Sequence, residues 1–279
     1  MSARPRLFVS DIDGTLVTPD KQLTPAALAA MADLKAAGIT ISLVSSRPPR
    51  GMARIVDAVG PTAPYAAFNG GNIVGPAGEL LQAHRLAHEA AAAALRMMAQ
   101  AGLKPWVFAD DAWLLKDLNG PDVQRERRTV GFEPTVVAGF DAVLSRVDKI
   151  VAPSDDYGRL DRVEADLRAA LTAGVNVERS QAYYIDVTHP LANKGEAVRA
   201  IAAHVGADLA HTIVIGDMTN DVAMFRVAGF AVAMGQGPAA VRAQAGAVTA
   251  ANTEDGFAKA VAALVLPRFA ELAAADAKV

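Results

Sequence analysis

The sequence has no cysteine in its 279 residues, which excludes disulfide bonds, thiolate metal sites and a cysteine nucleophile. Lysine and arginine number 27 against 30 acidic residues, and the absence of a long basic run leaves no electrostatic footprint for nucleic acid or an anionic membrane. No uncharged apolar run approaches membrane-spanning length, and a strand predicted from about residue 7 leaves no room for a cleavable signal. We therefore expect a cytoplasmic protein, monomeric or homodimeric, without nucleic-acid or membrane partners.

Aromatic residues are also sparse, at 5%, whereas 52% of the residues are hydrophobic. This composition favours a helix-rich globular protein over a disordered one. The length is enough for one large domain or two modest domains, each with its own core.

Two aspartates follow the first apolar run of the chain. Leu7-Phe8-Val9 is typical of a buried parallel strand, and Asp11 and Asp13 stand where that strand ends. Gly14 lets the chain leave the extended conformation, so both carboxylates can face one site. Close carboxylates repel, so such a pair usually has a cation or a proton between its members, and Mg²⁺ suits an all-oxygen site. The alternative interpretation is an ordinary surface turn.

A βαβ unit is predicted after these aspartates. Thr24 caps a predicted helix that ends at Gly38, and Ile39–Val44 is the next predicted strand. Short connections between strand, helix and strand indicate a parallel sheet. The second strand ends in Ser45-Ser46-Arg47, where Ser45 is either a phosphate-binding hydroxyl or a helix cap. Arg47 either binds an anionic group or is a surface arginine.

The pattern changes between residues 84 and 187. Helices are predicted there at about 86–101 and 157–173, and strands at about 105–108, 112–115, 148–152, 176–179 and 183–187. Such mixed elements favour a separate α+β domain inserted into the first. The basic stretch Arg125-Glu126-Arg127-Arg128 is interpreted as a solvated helical face, with contact to an anionic substrate as the alternative.

The chain then returns to the first pattern. Lys194 precedes a helix predicted to end at Val205, and His211–Ile215 is a predicted strand that ends near Asp217. A strand beside the first would bring Asp217 close to Asp11. His189 is interpreted as a hinge or structural residue because no second imidazole or cysteine lies near it in the sequence. A last helix is predicted over about 255–264, followed by a charged, alanine-rich tail.

Together these segments resemble the motifs of the haloacid dehalogenase superfamily, in its Cof-like subfamily IIB. The segments that carry the resemblance are Asp11-Ile12-Asp13-Gly14-Thr15-Leu16-Val17, Ser45-Ser46-Arg47-Pro48, Asn69-Gly70, Asn193-Lys194-Gly195 and Gly216-Asp217-Met218-Thr219-Asn220-Asp221. Ser46 departs from the usual glycine, and Gln236 stands where asparagine is common. The resemblance implies an α/β fold: a doubly wound, Rossmann-like parallel-sheet core over residues 1–83 and 188–279, with an α+β type B cap at 84–187 that selects the substrate.

The resemblance also implies residue roles. Asp11 is the implied nucleophile, Asp13 the general acid and base, and Ser45 and Lys194 stabilise the transferred phosphoryl group. The implied cofactor is Mg²⁺, held by Asp11, Asp217 and the backbone carbonyl of Asp13, with Asp221 supporting the metal shell. Candidate substrate contacts are Ser46, Arg47, Asn69 and Asn220 in the core and Asp110, Trp113 and Asp186 in the cap. For Trp113 the alternative is a packing role, and for the two cap aspartates it is a turn or surface position.

The implied function is that of a magnesium-dependent phosphatase. Its expected substrate is a small phosphorylated metabolite, with sugar phosphates as the first class to consider, and its intermediate is an aspartyl-phosphate. A phosphomutase of the phosphomannomutase type is the second hypothesis because it shares the motif set. A non-catalytic binding protein is the third.

Overall fold

The computed structural model describes residues 5–120, 122–172 and 174–276 of the chain. The strands are β1 (Leu7–Asp11), β2 (Thr40–Val44), β3 (Tyr65–Ala67), β4 (Asn72–Val74), β5 (Leu80–Ala83), β6 (Trp106–Ala109), β7 (Ala112–Leu115), β8 (Thr135–Val136), β9 (Val147–Pro153), β10 (Asn176–Glu178), β11 (Tyr184–Thr188), β12 (Thr212–Gly216), β13 (Phe230–Ala233) and β14 (Ala247–Val248). The α-helices are α1 (Pro25–Ala36), α2 (Pro49–Val59), α3 (His88–Gln100), α4 (Val123–Val130), α5 (Tyr157–Ala170), α6 (Lys194–Val205), α7 (Val222–Phe225), α8 (Ala239–Arg242), α9 (Gly256–Ala260) and α10 (Leu266–Asp276).

The larger sheet has eight strands in the order β14-β13-β12-β1-β2-β3-β4-β5. The strands from β14 to β3 are parallel, whereas β3, β4 and β5 pair antiparallel. The chain order reverses on the two sides of β1, which lies between β2 and β12, and open α/β sheets bind ligands at such a switch point. The predicted fold, a doubly wound parallel sheet with a second domain inserted, is confirmed.

Helices cover both faces of this sheet because its strands are apolar on both sides. Along β1, Phe8 belongs to a buried cluster with Met31 of α1, while Leu7 and Val9 belong to another with Val198 of α6. Successive strand residues point to opposite faces, so one apolar run supplies both clusters.

Helix α1 begins at Pro25 and is capped by Thr24, as predicted, because the Thr24 side chain accepts a hydrogen bond from the Ala27 N–H in the first turn. The apolar spacing of this helix places Leu28, Met31 and Leu34 on one face. Met31 and Leu34 are buried, but Leu28 is 36% exposed and borders a cleft. Periodicity identifies a face of a helix but does not show where a sheet ends and a cleft begins.

The smaller sheet has the order β10-β11-β9-β6-β7-β8 and is built from the inserted segment. It is antiparallel except for the β7–β8 pair. Helices α3 and α5 pack on one face, where Met98 and Leu167 are buried. The other face packs towards the larger sheet, and the ring of Phe108 lies 5.7 Å from that of Phe68. The chain leaves the larger sheet after β5, which ends at Ala83, and leaves the smaller sheet after β11, which ends at Thr188.

The two connections between these parts meet at a pair of histidines. The rings of His84 and His189 stack with their centroids 5.0 Å apart. Burial and the neighbouring His84 lower the pKa of His189. The sequence indicated no second imidazole near His189 because His84 lies in the other connection between the sheets, and that expectation was wrong. The place of His189 in a connection between the two sheets agrees with its interpretation as a hinge or structural residue.

The C-terminal helix is longer than predicted. Helix α9 continues through a π-helical turn, Val261–Val265, into α10, which ends at Asp276. Pro267 indicates a break because it lacks an N–H and its ring clashes with the carbonyl four residues earlier in a regular helix. The wider turn before Pro267 accommodates it, and burial of Phe269 holds the continuation against the core.

Two further differences concern helices. The extent of helix α2 was not predicted, although Met52, Ile55, Val56 and Val59 carry the helical spacing that could have identified it, and its N-cap is Pro48 and not Ser45. Helix α5 is described to Ala170, and the predicted end at residue 173 lies outside the described residues. Across the described part of the chain, every helix is too short or too polar to cross a membrane.

Candidate active site

The site lies at the carboxyl end of β1, where the chain turns sharply at Gly14. Gly14 has a φ of +87°, a region that favours glycine. A Cβ at this position would overlap the carboxylate of Asp217. The glycine therefore permits both the turn after Asp13 and the close approach of β1 to the end of β12.

Lys194 lies between two of the buried carboxylates. Its Nζ donates to Asp11 Oδ1 at 2.6 Å and to Asp221 Oδ1 at 2.5 Å. Burial opposes the charge on Lys194, but the two carboxylates outweigh burial and raise the pKa of Lys194. Asn193 caps α6 by accepting from the Glu196 N–H, which fixes the first turn of the helix that carries Lys194.

Asp217 and Asp221 complete an acidic cluster with Asp11. Asp221 Oδ2 accepts from the N–H groups of Asp217 and Met218, each at 2.8 Å. One carboxylate oxygen from each of the three aspartates lies within 4.8 Å of the others. The sequence therefore indicated the correct end of β12, and the predicted proximity of Asp217 to Asp11 is present in the structure.

The charge of this cluster exceeds what Lys194 can balance. Asp11 Oδ2 and Asp217 Oδ1 are buried without a hydrogen-bond partner among the residues that the structure describes. Burial raises the pKa of Asp11 to about 7, although the charge of Lys194 opposes it. Burial, followed by the charges of Asp11 and Asp221, raises the pKa of Asp217 to about 8. Unpaired oxygens on mutually repelling carboxylates fit a hard divalent cation.

Asp13 is held by two basic side chains. Arg47 forms a bidentate pair with it, Nε to Oδ2 at 2.6 Å and Nη2 to Oδ1 at 2.7 Å, and Lys21 Nζ donates to Oδ1 at 2.7 Å. Burial opposes ionisation of Asp13, but Arg47 and Lys21 outweigh it and lower the pKa of Asp13. Arg47 is therefore a site residue rather than a surface arginine, and Lys21 is a site residue that the sequence analysis missed.

Ser45, Asn69 and Asn220 line the adjoining strand ends. Ser45 Oγ is fully buried and accepts from the Arg47 N–H at 3.2 Å, so it caps the turn that carries Arg47. Asn69 has a φ of +58° and accepts from Asn220 Nδ2 at 3.2 Å. Ser46 is half-buried, and its carbonyl accepts from Lys149 Nζ at 3.3 Å. These four predicted residues all lie beside the catalytic strands.

Gln236 is a second residue whose position the sequence analysis did not predict. Its Nε2 donates to the Gly14 carbonyl at 2.6 Å, and its Oε1 accepts from the Asn252 N–H at 3.0 Å. Its departure from asparagine was visible in the sequence. Gln236 thus ties the turn after Asp13 to the end of the sheet.

None of the three cap candidates borders the cleft beside Asp13, within the part of the chain that the structure describes. Trp113 is 1% exposed and stacks on Phe108, so it has the packing role. Asp110 is an exposed turn residue paired with Arg146 at 2.7 Å. Asp186 is buried and pairs with Lys149 at 2.6 Å. Asp186 is therefore neither a contact of the cleft nor the turn or surface acid that was the alternative, because the Lys149 side chain pairs with it in the interior.

Helix α4 supplies about half of the cap residues that border the cleft, and Gly131, Phe132, Gln181 and Tyr183 supply the others. The cleft has a volume of about 1250 Å³ and is bordered by Arg125, Arg128 and Thr129 of α4 and by Asp13 and Arg47 of the core. The second interpretation of the basic stretch, contact with an anionic substrate, therefore has structural support.

Glu126, also on α4, is buried beneath the cleft-lining residues of that helix. It accepts a hydrogen bond from the Tyr184 hydroxyl at 3.1 Å. Burial raises the pKa of Glu126 to about 7, although Lys149 and Tyr184 oppose it. The ordinary value is 4.5, so the protonated form persists to higher pH in the folded protein than in the unfolded chain.

We expect Glu126→Gln to alter the pH dependence of stability. A carboxyl whose pKa is raised by folding contributes stability that is complete below pH 4.5 and is lost as the pH rises through about 7. The glutamine variant should therefore equal the wild type in unfolding free energy near pH 4.5 and exceed it at pH 8, by at most about 3 kcal/mol. Urea unfolding at several pH values measures this. The exposed Glu254→Gln is the control, and a pH-independent difference for Glu126→Gln would contradict the expectation.

Comparisons with known proteins agree with this architecture. The model of the haloacid dehalogenase-like hydrolase family matches residues 8–261. The HMP-PP phosphatase of Cronobacter sakazakii is 30% identical over 230 residues, covering 82% of this chain and 84% of that protein. The pyridoxal phosphate phosphatase of Escherichia coli K12 is 25% identical over 264 residues, covering 91% and 96%. A solved haloacid dehalogenase-like hydrolase from Bacteroides thetaiotaomicron has a TM-score of 0.82 at 25% identity, covering 93% of this chain and 99% of that one.

The predicted superfamily and the predicted enzyme class, a phosphatase, are confirmed by these similarities. The match extends over both parts of the larger sheet and the inserted domain. The chain belongs to the haloacid dehalogenase-like hydrolase family.

Proposed function

We propose that the protein is a Mg²⁺-dependent phosphatase that hydrolyses a small phosphorylated metabolite through an aspartyl-phosphate on Asp11. The observation that carries this proposal is the state of the Asp11 carboxylate. One oxygen is held by Lys194, and the other is buried without a partner at the switch point of the sheet. Such an oxygen is positioned and incompletely neutralised, which suits a nucleophile.

The residues for a metal are Asp11 and Asp217, each of which has an unpaired oxygen, together with the backbone carbonyl of Asp13. Asp221, whose oxygens converge with theirs but accept from Lys194 and two N–H groups, would support the metal shell. When bound, Mg²⁺ supplies charge stabilisation to the transferring phosphoryl group. Lys194 adds a fixed positive charge to the same place, and Ser45 and Asn69 hold the neighbouring strand ends in position.

Asp11 attacks phosphorus, and the bond from phosphorus to the leaving oxygen breaks as Asp13 protonates that oxygen. Asp13 then takes a proton from water, which attacks the aspartyl-phosphate and releases orthophosphate, leaving Asp11 as a carboxylate again. The contacts of Asp13 with Arg47 and Lys21 must loosen for this. A bound phosphoryl group offers both basic residues an alternative partner.

A substrate panel tests the proposal and distinguishes its alternatives. Phosphate release with Mg²⁺ should be measured for HMP-PP, pyridoxal phosphate and a range of sugar phosphates, since the first two are named in relatives. Release without a bisphosphate activator supports hydrolysis over phosphomutase chemistry. An absence of metal-dependent turnover across the whole panel would instead favour a non-catalytic binding protein.

Removal of the metal should have two effects. A chelator should abolish phosphate release and Mg²⁺ should restore it. Mg²⁺ should also raise the Tm of the wild type by several degrees, because a ligand at a hundredfold excess over its Kd stabilises by about 2.7 kcal/mol. Asp217→Asn should lose most of this Tm response, whereas the exposed Asp110→Asn should retain it. Full activity in chelator after metal removal would exclude the proposed metal dependence.

A further inference from the structure

The cleft carries a second group of basic residues that the proposed chemistry does not use. Besides Lys21 and Arg47, which contact Asp13, it is bordered by Arg50, Arg54, Arg125 and Arg128. All four of these arginines are exposed. They constitute a positively charged wall beyond the phosphoryl site.

The wall is formed by one helix of the core and one of the cap. Helices α2 and α4 meet where a Cβ at Gly51 would lie 3.2 Å from the Cα of Val130. Arg50 and Arg54 are four residues apart on α2, so they share a face and are separated by about 6 Å along the axis. Ala58 borders the same cleft, so the wall extends along α2 away from the turn that carries Arg47.

Neighbouring side chains leave this wall largely uncompensated. Neither Arg54 nor Arg128 has an ion-pair partner within the described ranges. Arg50 lies 4.5 Å above the ring of Phe132, and Arg125 lies 4.2 Å above that of Tyr183 and pairs with Asp122.

The acids that border the cleft do little to change this. They are Asp13, Asp20 and Asp217. Asp13 is already paired with Arg47 and Lys21, and Asp217 belongs to the acidic cluster. Asp20 is the remaining carboxylate at the cleft, and one carboxylate cannot balance four guanidinium groups.

Local stability does not explain these arginines either. Arg50 stands in the first turn of α2, where the helix dipole disfavours a cation. That turn contains no acid to compensate. Arg50 and Arg54 are also like charges one turn apart, which weakens an isolated helix slightly. An anion that enters the cleft would offset both unfavourable effects.

We propose that the physiological substrate carries a second anionic group, a phosphate or a carboxylate, which Arg54 and Arg128 bind while the transferred phosphoryl group lies at Asp11. This inference rests on the proposed phosphatase function. A neutral sugar tail would leave both guanidinium groups without a partner, whereas a second anion pairs with one arginine from the core and one from the cap. Binding of such a substrate therefore also links the two helices that border the cleft.

Competition against p-nitrophenyl phosphate, which has no second anion, tests the inference. Inhibition constants should be measured with Mg²⁺ at fixed ionic strength for two matched pairs of compounds. One pair is fructose 6-phosphate and fructose 1,6-bisphosphate, and the other is glycerol 3-phosphate and 3-phosphoglycerate. The wild type should bind the member with the second anion more tightly, and the pair with the larger preference identifies phosphate or carboxylate as its chemistry.

Arg54→Gln and Arg128→Gln should each reduce that preference roughly fivefold, the equivalent of the ~1 kcal/mol of a partly solvated ion pair. The exposed arginine variants Arg96→Gln in the cap and Arg242→Gln in the core, both away from the cleft, should leave it unchanged. A general structural disturbance would weaken both members of a pair alike and leave the ratio intact.

The outcomes separate the two proposals. An unchanged preference in the double variant Arg54→Gln/Arg128→Gln, or no preference in the wild type, would overturn the second-anion site while leaving the phosphatase proposal in place. If the wild type with Mg²⁺ fails to hydrolyse p-nitrophenyl phosphate, the proposed phosphatase function is contradicted. The second-anion inference, which rests on that function, is then contradicted as well.

Discussion

Replacing Asp11 by asparagine should abolish phosphate release and prevent formation of any phosphorylated enzyme. The amide keeps the shape of the side chain but removes the charged oxygen that attacks phosphorus. It also removes one carboxylate from a repelling cluster, so the variant should fold and should be at least as stable as the wild type without metal. Rapid-quench mass spectrometry after mixing with p-nitrophenyl phosphate measures the phosphoenzyme directly.

Asp13→Asn is the matched comparison. It keeps the nucleophile but removes the group that delivers and later accepts a proton, a contribution of roughly 10²–10⁴-fold. With a leaving group that needs little protonation, hydrolysis of the intermediate should slow more than its formation, so phosphate should accumulate on Asp11. Phosphorylation of the Asp11→Asn protein, or undiminished turnover in Asp13→Asn, would show that the two roles are assigned wrongly.

Replacing Lys194 by methionine should cause the largest loss of stability of any single change in the site. Lys194 is 1% exposed and is the cation between Asp11 and Asp221. Removing one partner of a buried ion pair typically costs about 3–5 kcal/mol, a large part of the roughly 5–15 kcal/mol that stabilises a domain. Urea unfolding at pH 8 in chelator should show this loss, and Mg²⁺ should recover part of it.

The surface lysine Lys259, which is exposed, supplies the control variant Lys259→Met. The loss in Lys194→Met should shrink as the pH falls, because Asp11, whose pKa is already raised, can take up a proton. Phosphate release should fall by about 10²–10³-fold, as expected when one preorganised stabilising group is removed. A variant as stable as Lys259→Met at pH 8 would contradict the electrostatic role assigned to Lys194.

The strands of the core and the acids at their ends could be predicted because both signals are local. An apolar run followed by Asp11 and Asp13, and another followed by Asp217, identify two strand ends whichever fold surrounds them. The contact between Lys194 and Asp11 joins residues 183 positions apart, and no periodicity connects them. Only the resemblance of the motifs to a known family brought these residues together before the structure did.

The sequence did not predict the positions of the remaining site residues, because those positions depend on the paths of loops and on which face of the inserted sheet the core covers. Lys21, which itself has a φ of +61°, reaches Asp13 from the loop between β1 and α1, and Gln236 reaches Gly14 from the loop after β13. In the inserted domain, alternation shows which residues share a face of the sheet. It does not show that the core covers that face and buries Trp113 and Asp186.

The pairing of β1 with β12 has a consequence for how the chain folds during its synthesis. Leu7 pairs with Thr212, so one edge of β1 stays unpaired until roughly 200 further residues have been synthesised. That synthesis takes on the order of 10–40 s at common rates of translation. An unpaired apolar edge is prone to aggregation. The inserted sheet, whose strands all lie between Trp106 and Thr188, can fold during that interval. The nascent chain should therefore depend most on chaperones before β12 emerges. The carboxylates of Asp11 and Asp217 meet only when β12 docks on β1, by which time Lys194 has been synthesised and can offset their charge.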